Sequence, residues 1–177
     1  MRRIKINKRK GILFYIQGLS GSGKSSIAQK IKKQITKLYG PTLLISGDNL
    51  RKIFELYDYS YSGRLSNTKK FGKLAKSLTD QKINLIFCVV GMMHSARKWY
   101  RNNVDNYIEI YVKADLKKII KLKKKKIYFK NKKNIVGLDI KAEFPKEPDI
   151  IINNEFNKSI NELSKELLIK IKNLNLG

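Results

Sequence analysis

The sequence predicts a three-layer α/β domain: a mostly parallel sheet with helices on both faces and a short lid. Three observations predict it. Short apolar runs alternate along the chain with segments of helical period, the pattern of parallel strands joined by helical crossovers. A glycine-rich segment, residues 18–25, stands between the first such run and the first helix. The chain has 177 residues and is 42% hydrophobic, enough to fill one core, so residues 1–177 are read as one domain.

A basic tail, residues 1–10, leads into residues 12–16, a run apolar enough for a strand buried on both faces. Ile27, Ala28, Ile31 and Ile35 then recur at helical spacing. Gly40-Pro41 turns the chain into a strand at 42–46, which Gly47-Asp48-Asn49 ends. Residues 50–56 read as helix and 57–63 as a loop rich in Tyr and Ser. Phe71, Leu74, Ala75 and Leu78 give residues 67–81 a helical period. Residues 83–90 carry the strongest strand signal and are expected at the centre of the sheet. Gly91-Met92-Met93 breaks that strand, and residues 95–103 form a helix with Trp99 in the core. A strand at 107–112 follows, and Asp115 caps a helix running to about residue 122. Residues 149–153 make the last strand and 160–174 an amphipathic helix.

Residues 123–144 lack periodicity and carry many charges, and Pro145 and Pro148 close the segment. A loop of that length inside a compact domain is usually functional or disordered. The functional version is a lid that closes over bound phosphates, with Lys123, Lys124, Lys125, Lys126 and Lys130 supplying positive charge. The alternative is a solvated run of lysines.

Lys and Arg number 39 against 14 Asp and Glu, a formal charge of +25. The lysines are spread along the whole chain without the aromatic signature of RNA-binding modules. Solvated faces account for them, and a nucleic-acid partner is not expected; an NTP-dependent RNA-binding protein is the alternative of another class. The lone cysteine, Cys88, excludes an intramolecular disulfide and a cysteine-based zinc site, and fits a reducing, cytoplasmic location. The basic start followed by an apolar run imitates a secretory signal, but the run leads directly into the glycine-rich loop. No run is long and apolar enough for a membrane span, so no membrane partner is expected. A homodimer is compatible with the sequence but not specified by it.

Gly18-Leu19-Ser20-Gly21-Ser22-Gly23-Lys24-Ser25 fits G-x-x-x-x-G-K-[ST] between a strand and a helix, the setting this phosphate-binding loop requires. The candidates for gripping ATP are Gly18, Ser20, Gly21, Ser22, Gly23, Lys24, Ser25 and Ser26. Backbone N–H groups and a helix amino terminus cradle the anion, Lys24 spans its outer phosphates, and the Ser25 hydroxyl serves Mg²⁺.

These residues, with several others, resemble the adenylyl-sulfate kinase family over roughly residues 12–153. The phosphate loop resembles the family's version, including its Leu-Ser-Gly-Ser interior. Ser46-Gly47-Asp48-Asn49-Leu50-Arg51 is similar to its Asp-Gly-Asp-Asn-Val-Arg segment, and Arg64 with Asn67 to its Arg-x-x-Asn pair. Gly137-Leu138-Asp139, Glu143, Pro145 and Pro148-Asp149 are similar to its lid segment. The resemblance implies a P-loop kinase fold and transfer of the γ-phosphoryl of ATP to the ribose 3′-hydroxyl of a small nucleotide. It implies Lys24 and Asp48 as catalytic residues and Ser25 and Asp48 toward the metal. Asp48 can orient the acceptor hydroxyl, accept its proton or hold a metal-bound water; by itself it also reads as a helix cap. Arg51, Tyr59, Arg64, Asn67, Val90, Gly91, Ile135 and Leu138 are implied toward the acceptor.

The departures are informative. Ser46 replaces the first Asp of the family segment. Val90-Gly91-Met92-Met93-His94 replaces its Ile-Ser-Pro-Tyr-Arg, and His94 either touches ligand or merely begins a helix. The last arginine is Arg101, so lysines replace any lid arginine. Tyr59 and Ile135 stand where the family sandwiches adenine between two phenylalanines. Base–aromatic stacking contributes roughly 1–3 kcal/mol per base, so losing one face weakens the grip on a purine. The expected acceptor is therefore a cytidine nucleotide, as in the branch of the family that prepares phosphoramidate groups for bacterial capsules, with adenosine 5′-phosphosulfate as the alternative.

Overall fold

The computed structural model describes residues 6–122, 124–129 and 133–176. Five strands form one sheet in the order β2-β3-β1-β4-β5: β1 Leu13–Gln17, β2 Thr42–Ser46, β3 Asn84–Val89, β4 Tyr107–Lys113 and β5 Ile150–Asn153. Every pairing between them is parallel, where the sequence predicted mostly parallel. β1 holds the middle place; β3, expected there, is interior but lies between β1 and β2. Both strands are apolar because both faces are covered.

Alternate residues of the strands feed two separate cores. Phe14, Ile16, Ile86, Ile108 and Ile110 pack against helices α1 (Lys24–Tyr39) and α6 (Ile160–Lys172). Leu13, Tyr15, Leu85, Phe87 and Tyr107 pack against α3 (Tyr61–Asp80) and α4 (His94–Asn103), with Leu50 of α2 (Gly47–Ile53). These are the three predicted layers. A third cluster joins Leu19, Met92, Tyr111, Ala114, Ile119 of α5 (Leu116–Lys121) and Val136, and so anchors the segment around Val136 to the carboxyl ends of the strands.

Three element boundaries correct the sequence reading. α2 starts at Gly47, not residue 50, because the Ser46 hydroxyl accepts the Asn49 N–H at 3.1 Å and caps the helix. The capping role considered for Asp48 thus belongs to Ser46, and Asp48 sits in the first turn with no hydrogen-bond partner among the described residues. α3 starts at Tyr61, inside the predicted loop, because Ser60 caps it through the Gly63 N–H. α4 begins at His94 itself. Asp115 caps α5 as expected, at 2.8 Å from the Lys118 N–H. Residues 6–10 are docked: Asn7 and Asn106 exchange hydrogen bonds, and Lys10 bridges Asp80 and Asp105. No helix among the described residues is long and apolar enough to cross a membrane.

Candidate active site

A cleft of roughly 1050 Å³ opens at the carboxyl ends of the strands, where open α/β sheets bind ligands. One wall is the loop after β1. Gly23 holds φ at 90°, a left-handed conformation glycine adopts without a steric penalty, and α1 begins on the next residue. The amino end of α1 therefore faces the cleft, with Ser20, Gly21, Gly23, Lys24, Ser25 and Ser26 on its wall. Lys24 is buried, and its Nζ donates to the Leu19 carbonyl at 3.1 Å. Burial pulls its ammonium down to about 8, Cys88 and Asp48 oppose that fall, and Lys125 adds to it.

The opposite wall comes from β2, α2 and α3 and carries Ser46, Asp48, Arg51, Tyr59 and Arg64. The Arg51 guanidinium lies 4.8 Å from the centre of the Tyr59 ring and that of Arg64 5.4 Å. Burial lowers the pKa of both arginines, most directly by desolvation. The floor is Tyr15, Phe71, Phe87 and Tyr100, an aromatic cluster with Tyr15 and Tyr100 centroids 4.7 Å apart. Val90 and Gly91 line it just beyond β3, and Ile135 with Val136 forms a further side.

Lys124, Lys125 and Lys126 also line the cleft; Lys123 and Lys130 lie outside the described residues. The 3₁₀ turn Lys126–Tyr128 is bolted to the phosphate loop by the Tyr128 hydroxyl, which donates to the Ser20 carbonyl at 2.9 Å. Cys88 is a buried hydrophobe whose thiol is pushed up to about 12 by burial.

Four predicted residues stand off the wall. Gly18 turns against Val112 of β4, and Ser22 is buried beneath the loop with its carbonyl held by Asn154 at 2.9 Å. Leu138 is 51% exposed on the outside of the tight turn 135–140; its neighbour Val136 points inward instead. Asn67 is buried in α3 one turn after Arg64, and its Nδ2 has no partner among the described residues. His94 opens α4, as the helix-start reading had it, and its backbone N–H donates to the Glu143 carboxylate.

Ser25 and Asp48 both face the cleft, while no group of three or more His, Cys, Asp or Glu side chains among the described residues could hold a metal. One hydroxyl and one carboxylate fit a magnesium ion that keeps its waters and arrives on phosphate oxygens.

Residues 10–153 match the family described as adenylylsulphate kinase. The chain belongs to the adenylylsulphate kinase family. It is accordingly a phosphotransferase with a hydroxyl acceptor. Within the adenylylsulphate kinases and their relatives, the chain is 34% identical over 167 residues to cytidine diphosphoramidate kinase of Campylobacter jejuni, covering 92% of this chain and 97% of the relative. It is 29% identical over 177 residues to the adenylyl-sulfate kinase of Oceanobacillus iheyensis, covering 96% and 88%. The Mycobacterium tuberculosis adenylylsulphate kinase solved with AMPPNP and APS shares the fold, with a TM-score of 0.82 and 23% identity, covering 92% of this chain and 98% of that one.

Sequence reasoning missed one side of this cleft. Asn154, Phe156, Lys158 and Ser159 line it from the link between β5 and α6. The sequence signal was there in part: Ser159 and Glu162 have the S-x-x-E spacing of a capping box, which the structure forms. Also missed was the buried ionic group behind Gly91, where Glu109 meets Arg97 at 3.5 Å and Arg101 at 2.6 Å. Its members are scattered over β4 and α4, so no local pattern marks them.

Proposed function

We propose that this chain transfers the γ-phosphoryl of ATP to the ribose 3′-hydroxyl of a cytidine nucleotide with a substituted diphosphate, cytidine diphosphoramidate being the best candidate. The observation that carries the reading is the pairing across one cleft of Tyr59 with Ile135, one aromatic and one aliphatic face, where a purine sandwich would need two aromatic ones. The relative from Campylobacter jejuni, alike over nearly its whole length, supports the same acceptor.

In this reading the loop 20–26 grips the triphosphate with backbone N–H groups and the α1 amino terminus. Lys24 leaves the Leu19 carbonyl to neutralise the outer phosphates. Magnesium, when bound, supplies further charge neutralisation, and Ser25 and Asp48 are the residues that would hold it. Lys124, Lys125 and Lys126 add positive charge from the lid. Asp48 faces the loop from α2 and orients the acceptor hydroxyl or takes its proton. Positioning and electrostatics account for most of phosphoryl-transfer catalysis, and these residues supply both.

The test is a competition. Enzyme, ATP and magnesium are incubated with cytidine diphosphoramidate, CDP and adenosine 5′-phosphosulfate together, and products are identified by ³¹P NMR. The expected product is the 3′-phosphorylated cytidine compound. Preferential phosphorylation of the adenosine compound, the substrate in the name of the Oceanobacillus iheyensis relative, overturns the acceptor assignment.

A further inference from the structure

Arg97 of α4 is 5% exposed, yet its guanidinium reaches Gln17, Gly91, Glu109 and Glu143, on four other stretches of chain. Nη1 donates to the Gly91 carbonyl at 3.1 Å and to Gln17 Oε1, at the end of β1, at 3.3 Å. Nη2 donates to the Glu143 carbonyl at 2.7 Å and to His94 Nδ1 at 2.5 Å; a guanidinium only donates, so the ring nitrogen accepts. Nε faces Glu109 at 3.5 Å, and that carboxylate balances the charge. An apolar side chain would fill the same space without a buried charge to compensate. What the guanidinium adds is direction: a planar fork fixed on several points at once.

One of those points belongs to the cleft. Gly91 lines it together with Val90, Met92 and Met93. Gly91 holds φ at 56°, and a Cβ there would lie 2.6 Å from the Tyr15 hydroxyl, so the stretch is pressed against the cleft floor. The Met92 carbonyl accepts the Glu143 N–H at 3.0 Å, and the His94 N–H donates to the Glu143 carboxylate. Arg97 and Glu143 thus clasp residues 91–94 together.

We propose that Arg97 is a positioning residue for the acceptor: it fixes residues 90–93 as the surface against which the acceptor nucleotide is placed. The proposal rests on the reading that these residues face the acceptor, and it deepens it. Arg97 is not among the described residues that line the cleft, so it acts through the Gly91 carbonyl. The phosphate loop is held independently of it. Gln17 keeps a bond to Glu109 at 2.7 Å, and Asn154 and Tyr128 hold the loop carbonyls of Ser22 and Ser20. Arg101 shares Glu109 with Arg97 but bonds no residue that lines the cleft.

Steady-state kinetics on the full-length enzyme test this, with ATP and acceptor varied in turn. Cytidine diphosphoramidate and adenosine 5′-phosphosulfate serve as separate acceptors. Arg97→Lys keeps a cation beside Glu109 but cannot reproduce the bonds of the fork. It should raise the acceptor KM by about tenfold or more, the scale of loss that a misplaced substrate brings, while the ATP KM stays within about twofold. Arg97→Met, an apolar filler, should do the same and stands in if the Lys variant does not fold. Arg101→Gln weakens the same buried ionic group away from the cleft. It should lower the urea midpoint and leave both KM values within about twofold. A lowered urea midpoint with an unchanged acceptor KM in the Arg97 variants makes Arg97 a residue of the fold alone and overturns the proposal. So does an equal rise in the ATP KM, or an acceptor KM raised as much by Arg101→Gln. Wild-type preference for the adenosine compound overturns the cytidine assignment instead, and the Arg97 comparison is then read on that acceptor.

Discussion

Lys24 is a cation buried at the mouth of an anion site, and its chemistry follows from that conflict. With its ammonium at about 8 against an ordinary value near 10.4, the folded protein binds fewer protons than the unfolded chain between those values, so stability rises with pH there. Triphosphate binding runs the other way. A bound anion restores the proton, so ATP affinity should fall as pH climbs through about 8, and calorimetry at pH 8.5 in buffers of different ionisation enthalpy should register proton uptake. A flat affinity profile from pH 7 to 9.5 would refute this. Lys24→Ala should lower turnover by roughly 10²–10³-fold, the usual cost of losing one transition-state charge contact, while the melting temperature holds or rises. Asp48 is freed from capping by Ser46, and Asp48→Asn should therefore depress kcat more than it raises the acceptor KM; a pure KM effect would reduce Asp48 to a binding residue.

At the scale of elements, close packing decides two outcomes. α3 crosses α4 at Gly72, where an added Cβ would lie 2.2 Å from the Trp99 ring. Gly72→Ala should destabilise by about 1–3 kcal/mol in chemical denaturation, because the ring is wedged against Tyr100 and cannot withdraw freely. Asn154 ties the end of β5 to the phosphate loop through the Ser22 carbonyl and accepts the Phe156 N–H at 3.0 Å. Asn154→Ala leaves those groups without their partner, at a cost of about 1–3 kcal/mol, and should weaken ADP binding; unchanged ADP affinity would confine Asn154 to the fold. The elements themselves were largely legible. Strands 1, 3 and 4 announce themselves as apolar runs because both of their faces are buried. The Ser46 and Ser60 caps were not read because each sits beside residues that look like turn formers, Gly47-Asp48 and the tyrosine-rich loop. The phosphate loop, Asp48 and Arg51 were legible because each lies in a short local run, 18–25 or 46–51. Phe156 was not, because it reaches the cleft only when β5 is docked beside β4.

For the molecule as a whole, the excess of 39 basic over 14 acidic residues means that folding concentrates like charge. Added sodium chloride should raise the melting temperature by screening it, and a fall would count against self-repulsion as a main term. Against that background Glu109 has unusual weight. It is buried under Arg97 and Arg101, and Glu109→Gln should cost about 3–5 kcal/mol, read as a shift of the urea midpoint, because it leaves a buried guanidinium uncompensated. The third apolar cluster has a different consequence. Leu19 of the phosphate loop, Met92 after β3 and Val136 share it. Any coupling between the two halves of the cleft has this shared packing to travel through, and linkage makes it symmetric: whatever factor separates CDP affinity with and without ADP must equally separate ADP affinity with and without CDP.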